Sequence, residues 1–140
     1  MKSAVACSKK WFFIHQKKNL KNYYLIKNKK QLNYKSLKKN NIQYIFFPHW
    51  SFIVPKKIYE NFICVIFHTG NLPKHRGGSP IQNLILKGYK NAYVNAVKVQ
   101  KKIDSGPIYV RKKVSLKGSL DNIFYNISII ILELMKKIIT

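Results

Sequence analysis

The stretch Phe62-Ile63-Cys64-Val65-Ile66-Phe67-His68-Thr69-Gly70-Asn71-Leu72-Pro73-Lys74-His75-Arg76-Gly77-Gly78-Ser79-Pro80 decides how this chain is read. Its first half is nearly all apolar, as expected of a β-strand covered on both faces. A histidine closes the run. A loop with three glycines and two prolines follows, and Pro80 suits the first position of a helix. Glycine lets backbone approach a ligand closely. Free N–H groups at a helix start can hold an anion or a developing oxyanion, and Arg76 adds a fixed charge. Loops at strand carboxyl ends are where α/β proteins place sites. The plain alternative is an ordinary turn behind a core histidine.

Outward from this stretch, short apolar runs alternate with polar, helix-length segments. Strands are expected at Ser3–Cys7, weakly at Tyr23–Ile26, and at Ile42–Phe47, Phe62–His68, Ala92–Val99 and Ile108–Lys113. Pro48 stops the third of these. Short helices are expected at Tyr34–Lys39 and after Pro55. A further helix over Pro80–Lys87 should end at Gly88. Ser119 should cap a long last helix with Asp121 in its first turn. Its apolar positions Ile123, Ile127, Ile130, Leu134 and Ile138 recur at helical spacing. Lys27–Lys39 is rich in Lys and Asn and reads as a solvated connection. Alternation of strand and helix predicts an α/β fold with a doubly wound, mostly parallel sheet. One domain over residues 1–140 suits this length.

The formal charge is +23, from 27 Lys+Arg against 4 Asp+Glu. Such a charge attracts anionic partners and opens a nucleic-acid-binding reading. However, 25 of those cations are Lys and only Arg76 and Arg111 are Arg. Selection for phosphate grip would favour the planar Arg fork, so A/T-rich coding is the preferred explanation. Cys7 and Cys64 sit in apolar runs and offer neither a disulfide framework nor a metal site. The apolar run before Ser8 is shorter than the roughly 7–15 residues of a signal peptide's core. No stretch reaches the roughly 18 apolar residues of a membrane span. A cytoplasmic protein without membrane partners or metal is expected.

The pattern H-x-x-x-L-P-x-x-R-G-x-x-P, from His68 to Pro80, resembles the signature loop of the 10-formyltetrahydrofolate-dependent formyltransferases. Ile103-Asp104-Ser105-Gly106-Pro107-Ile108 resembles that family's L-D-x-G-x-I motif, with Asp104 lying 36 positions after His68. Phe46-Phe47-Pro48-His49-Trp50-Ser51-Phe52-Ile53-Val54-Pro55 sits where the family carries a loop of its folate pocket. The phrasing is most similar to the short, sugar-modifying members. The likeness covers residues 40–125 well and residues 1–39 in outline. It implies a formyltransferase (Rossmann-like) fold without the C-terminal region of longer relatives.

The resemblance also implies roles. A formyl group would pass from 10-formyltetrahydrofolate to an amine, with charge building on the formyl oxygen. His68 would donate to that oxygen or relay the amine's proton, as histidine does near neutrality. Asp104 would orient His68 and favour its charged form. Phe47, Trp50, Val54 and Gly106 would contact the folate, with plain core as the alternative for Phe47, Trp50 and Val54, most strongly for Phe47. Arg76, Gly77 and Gly78 would serve the loop. His15, His49 and His75 read as surface. The family's Asn-x-His has Ile66 in place of its asparagine, and losing one oxyanion donor costs about 3–4 kcal/mol. Asn71 could replace it. The favoured acceptor is an amino sugar on a nucleotide carrier, ahead of methionyl-tRNA. A non-catalytic folate-binding remnant and a basic nucleic-acid-binding module follow.

Overall fold

The computed structural model describes residues 2–70, 80–102 and 105–140. Six strands form one sheet in the order β2-β1-β3-β4-β5-β6. They are β1 (Lys2–Ala6), β2 (Tyr24–Ile26), β3 (Ile42–Phe47), β4 (Ile63–Thr69), β5 (Asn91–Lys98) and β6 (Ile108–Ser115). β1 runs parallel to β2 and β3, and β3 parallel to β4. β5 and β6 are antiparallel. The mixed, mostly parallel α/β sheet expected from the alternation is present. Residues group into two compact units, 1–66 and 67–140, with the boundary inside β4.

In the first unit, β1 is short and small-chained. Ser3 to Ala6 are buried without alternation, the mark of a strand covered on both faces. Ile45, Phe46 and Phe47 of β3 are buried likewise. Helix α2 (Tyr34–Lys39) is capped by Asn33, whose side chain accepts from the Ser36 N–H at 3.1 Å. Helix α3 (Lys56–Asn61) follows Pro55, whose carbonyl receives the N–H groups of Ile58 and Tyr59. Helix α1 (Lys10–His15) is not expected from the sequence. It is six residues long and has no side-chain cap and no acid in its first turn. Burial of Phe12 holds it. A 3-10 turn at Lys29–Gln31 sits inside the segment read as a solvated connection.

In the second unit, helix α4 (Pro80–Leu86) ends at Gly88, whose φ of +85° is the left-handed conformation that glycine accepts. Helix α5 (Leu120–Ile139) packs on β5 and β6. Ser119 caps it by accepting from the Asn122 N–H at 3.2 Å. Ile123, Ile127, Ile130 and Leu134 are buried as their spacing demands, and Ile138 is half-buried. Each fully buried side chain of this size stabilises by about 1.5–3 kcal/mol relative to exposure. The exposed Lys112–Glu133 pair across α5 and β6 adds little. No described helix is long and apolar enough to cross a membrane.

His49 departs from its surface reading. It follows β3 with a left-handed φ of +51°, and its ring lies 4.9 Å from that of Trp11 and 5.6 Å from that of Phe12. The Ser8 hydroxyl donates to its carbonyl at 2.8 Å, and the Ser51 N–H donates to the Ser8 hydroxyl at 3.0 Å. The aromatic residues of α1, absent from the sequence reading, are what cover it. Burial first, and the nearby Lys9 charge second, push its pKa down from 6.5 to about 4. The unfolded chain binds this proton near pH 6.5, and the folded chain refuses it until about pH 4. The associated stability is whole above pH 6.5 and is lost as pH falls to about 4, up to about 3 kcal/mol in all. Urea midpoints at pH 7.5 and 4.5 should therefore separate more for wild type than for His49→Asn, which tolerates the left-handed backbone. Equal separations would refute the assignment.

Candidate active site

The candidate side chains follow buried runs at strand carboxyl ends, after Ile45–Phe47 in β3 and after Cys64–Val65 in β4. Within the second unit, His68 is the penultimate residue of β4 and is buried, as is Thr69 beside it. β5 supplies its neighbour. The Asn95 side chain, fully buried, donates to the His68 carbonyl at 3.0 Å and to the Gly70 carbonyl at 2.9 Å. The Gly70 N–H donates to the Tyr93 carbonyl at 2.8 Å. Nothing in the sequence marked Asn95. The one local hint is a polar residue among the apolar ones of β5.

Asn71, Arg76, Gly77, Gly78 and Asp104 lie outside the described residues. The pairing of His68 with Asp104 therefore stays an expectation. What is described is the frame around Asp104. The Lys98 N–H donates to the Pro107 carbonyl at 3.0 Å, closing the connection between β5 and β6. Within it, the Ser105 hydroxyl donates to the Lys102 carbonyl at 2.8 Å. A Cβ added at Gly106 would overlap the carbonyl oxygen of Lys98. Gly106, expected as a folate contact, thus has a packing duty of its own. It lets two backbones meet.

Within the first unit, the loop after β3 carries an aromatic row. Phe47 is buried and meets Trp50 edge to face at 5.7 Å. Trp50 meets Phe52 at 5.3 Å, and Lys29 lies 4.6 Å over the Phe52 ring. Val54 is buried. Phe47 forms the floor under Trp50, in keeping with its core alternative. The Trp50 indole N–H is buried and has no acceptor among the described residues. A planar, hydrogen-bonding ring such as a pterin suits this set, since it can lie on aromatic faces and accept that proton. Burial raises the Cys7 thiol to about 11, against opposing effects of Lys9, and raises Cys64 to about 12. Neither supplies a thiolate near neutrality.

These features define a doubly wound α/β protein with polar side chains at its strand ends. Comparison with known proteins narrows the class. A family model described as Formyl transferase matches residues 6–123. This chain belongs to the formyl transferase family. It is similar to the methionyl-tRNA formyltransferase of Rickettsia prowazekii (strain Madrid E), with 31% identity over 83 residues, covering 58% of this chain and 27% of that one. The solved methionyl-tRNA formyltransferase from Clostridium thermocellum superposes with a TM-score of 0.90 at 41% identity, covering 98% of this chain and 63% of that one. A phosphoribosylglycinamide formyltransferase from Bacillus halodurans shares the fold at a TM-score of 0.69 and 16% identity, covering 96% and 91%. The matched segment thus spans about a quarter of the curated relative's length.

Gly106→Ala should lower unfolding free energy by about 1–3 kcal/mol, the usual cost of forced overpacking. Thermal unfolding read by circular dichroism would show it. An unchanged melting temperature would mean that the Lys98 carbonyl yields freely.

Proposed function

We propose that this chain transfers a formyl group from 10-formyltetrahydrofolate to the amine of methionyl-tRNA. Membership of the formyl transferase family over residues 6–123 carries the reading. Two of the relatives named above are methionyl-tRNA formyltransferases, and they favour this acceptor. The order of acceptors suggested by the motif phrasing is therefore reversed, and the amino sugar on a nucleotide carrier becomes the second choice. A net charge of +23 favours a polyanionic acceptor over a small one.

The co-substrate supplies an activated formyl carbon. The protein's share is binding and proton handling. Trp50 and Phe52 would bed the pterin on their ring faces, and the Trp50 N–H would donate to it. His68 would take the proton shed by the attacking amine, or donate to the formyl oxygen, at a ring nitrogen. Asp104 would orient that imidazole and stabilise the positive charge that it carries once it has taken the proton, or while it donates one. Asn71 would add a donor where Ile66 offers none. Arg76, with Gly77 and Gly78, would bring positive charge and backbone N–H groups to the acceptor's phosphates.

The assay is formyl transfer by the full chain from 10-formyltetrahydrofolate, with methionyl-tRNA and an amino-sugar nucleotide offered in parallel. Turnover should occur on methionyl-tRNA and fall steeply with salt. His68→Ala should lose about 10²–10⁴-fold in kcat. No turnover with either acceptor would end the enzyme reading and favour a folate-binding remnant. Turnover on the sugar alone would restore the first order of acceptors. Trp50→Phe tests the folate loop separately. Loss of one hydrogen bond, about 1 kcal/mol, should raise the folate Kd about fivefold by fluorescence titration. An unchanged Kd would remove the indole N–H from the site.

A further inference from the structure

We infer that Asn95 is a positioning residue that sets the orientation of His68. The inference rests on the proposed role of His68, and the observations beneath it are geometric. Asn95 lies on β5, paired with Arg111 of β6, in a strand otherwise buried through Ala92, Val94, Ala96 and Val97. Its side chain is fully buried. The Nδ2 group meets three carbonyl oxygens: Gly70 at 2.9 Å, His68 at 3.0 Å and Tyr93 at 3.2 Å. Three acceptors around one atom settle which end of the amide is nitrogen, because an oxygen there would be repelled by all three.

Two of these carbonyls bracket the residue after His68. With both bolted to one rigid carboxamide, the backbone carrying the imidazole has one position, and only the ring's own torsions are left. A strand's last residues otherwise fray. Here the Asn95 side chain of the neighbouring strand adds to the backbone bond from the Gly70 N–H to the Tyr93 carbonyl. The other end of the amide, Oδ1, is buried and has no donor among the described residues. A leucine of similar size would leave the His68 and Gly70 carbonyls without this donor. The N–H groups of the carboxamide are therefore what fix the backbone on either side of Thr69.

The experiment reads the His68 ring directly, so that it does not depend on turnover. In the full-length protein, the ¹H–¹³C cross-peaks of the His68 ring are assigned with His68→Gln. Asn95→Leu and Asn95→Asp keep the approximate volume and lose both donors. Each should move the His68 cross-peaks while leaving those of exposed His15 in place. Each should lower kcat by about 10²-fold, the cost of misplacing a reacting group by about an ångström, with KM for folate changed by less than about twofold. Asn95→Ser keeps one donor and should recover part of kcat. Val94→Ala, a cavity on the same strand, should lower the melting temperature without moving the His68 signals. Unmoved His68 signals in a folded Leu or Asp variant would overturn the inference, as would Asn95→Ser doing no better than Asn95→Leu. In the wild type, the Nδ2 protons should exchange with solvent as slowly as strand amides, and free-amide exchange would overturn it without any variant. Moved signals in a protein that shows no formyl transfer would instead remove the proposed reaction and leave the positioning role in place.

Discussion

A β-strand covered on both faces carries a polar side chain away from its ends only where hydrogen bonds replace its hydration, as they do for Asn95 of β5. The rest of this molecule depends on that constraint. β1 is buried from Ser3 to Ala6, and β3 from Ile45 to Phe47. A charged group midway along either would lose its hydration with nothing to replace it. Polar chemistry is thereby driven to the carboxyl ends: Ser8 after β1, His49 and Trp50 after β3, and His68 at the close of β4.

Burial then sorts the groups gathered there. His49, wedged against Trp11 and Phe12, is held neutral and acts as a structural pin for the loop that bears Trp50. Cys7 and Cys64 are silenced in the same way. His68 is buried too, and its backbone carbonyl accepts from a carboxamide of β5.

Much of the fold was legible from periodicity. β3 and α2 have the bounds expected for them, with Pro48 stopping β3. α5 buries the stripe that its spacing announced. α1 was not legible, since six residues without a cap have no local signal and exist only because Phe12 is buried. The antiparallel turn of β6 against β5 was equally silent, because a strand's direction does not alter its alternation. Of the site, His68 was legible as a histidine closing an apolar run, while Asn95 was not. Its function comes from two carbonyls about 25 residues away in the chain.

By itself the sequence determined the alternation of elements, the strand-end histidine, and the two motifs that mark the family. Those are local properties, written in spacing and residue type. Tertiary structure alone decided that His49 is enclosed, that Gly106 must be bare to clear the Lys98 carbonyl, and that Asn95 grips the end of β4. Each of these requires two segments distant in sequence to meet at a few ångströms, and no pattern along one segment records what the other brings.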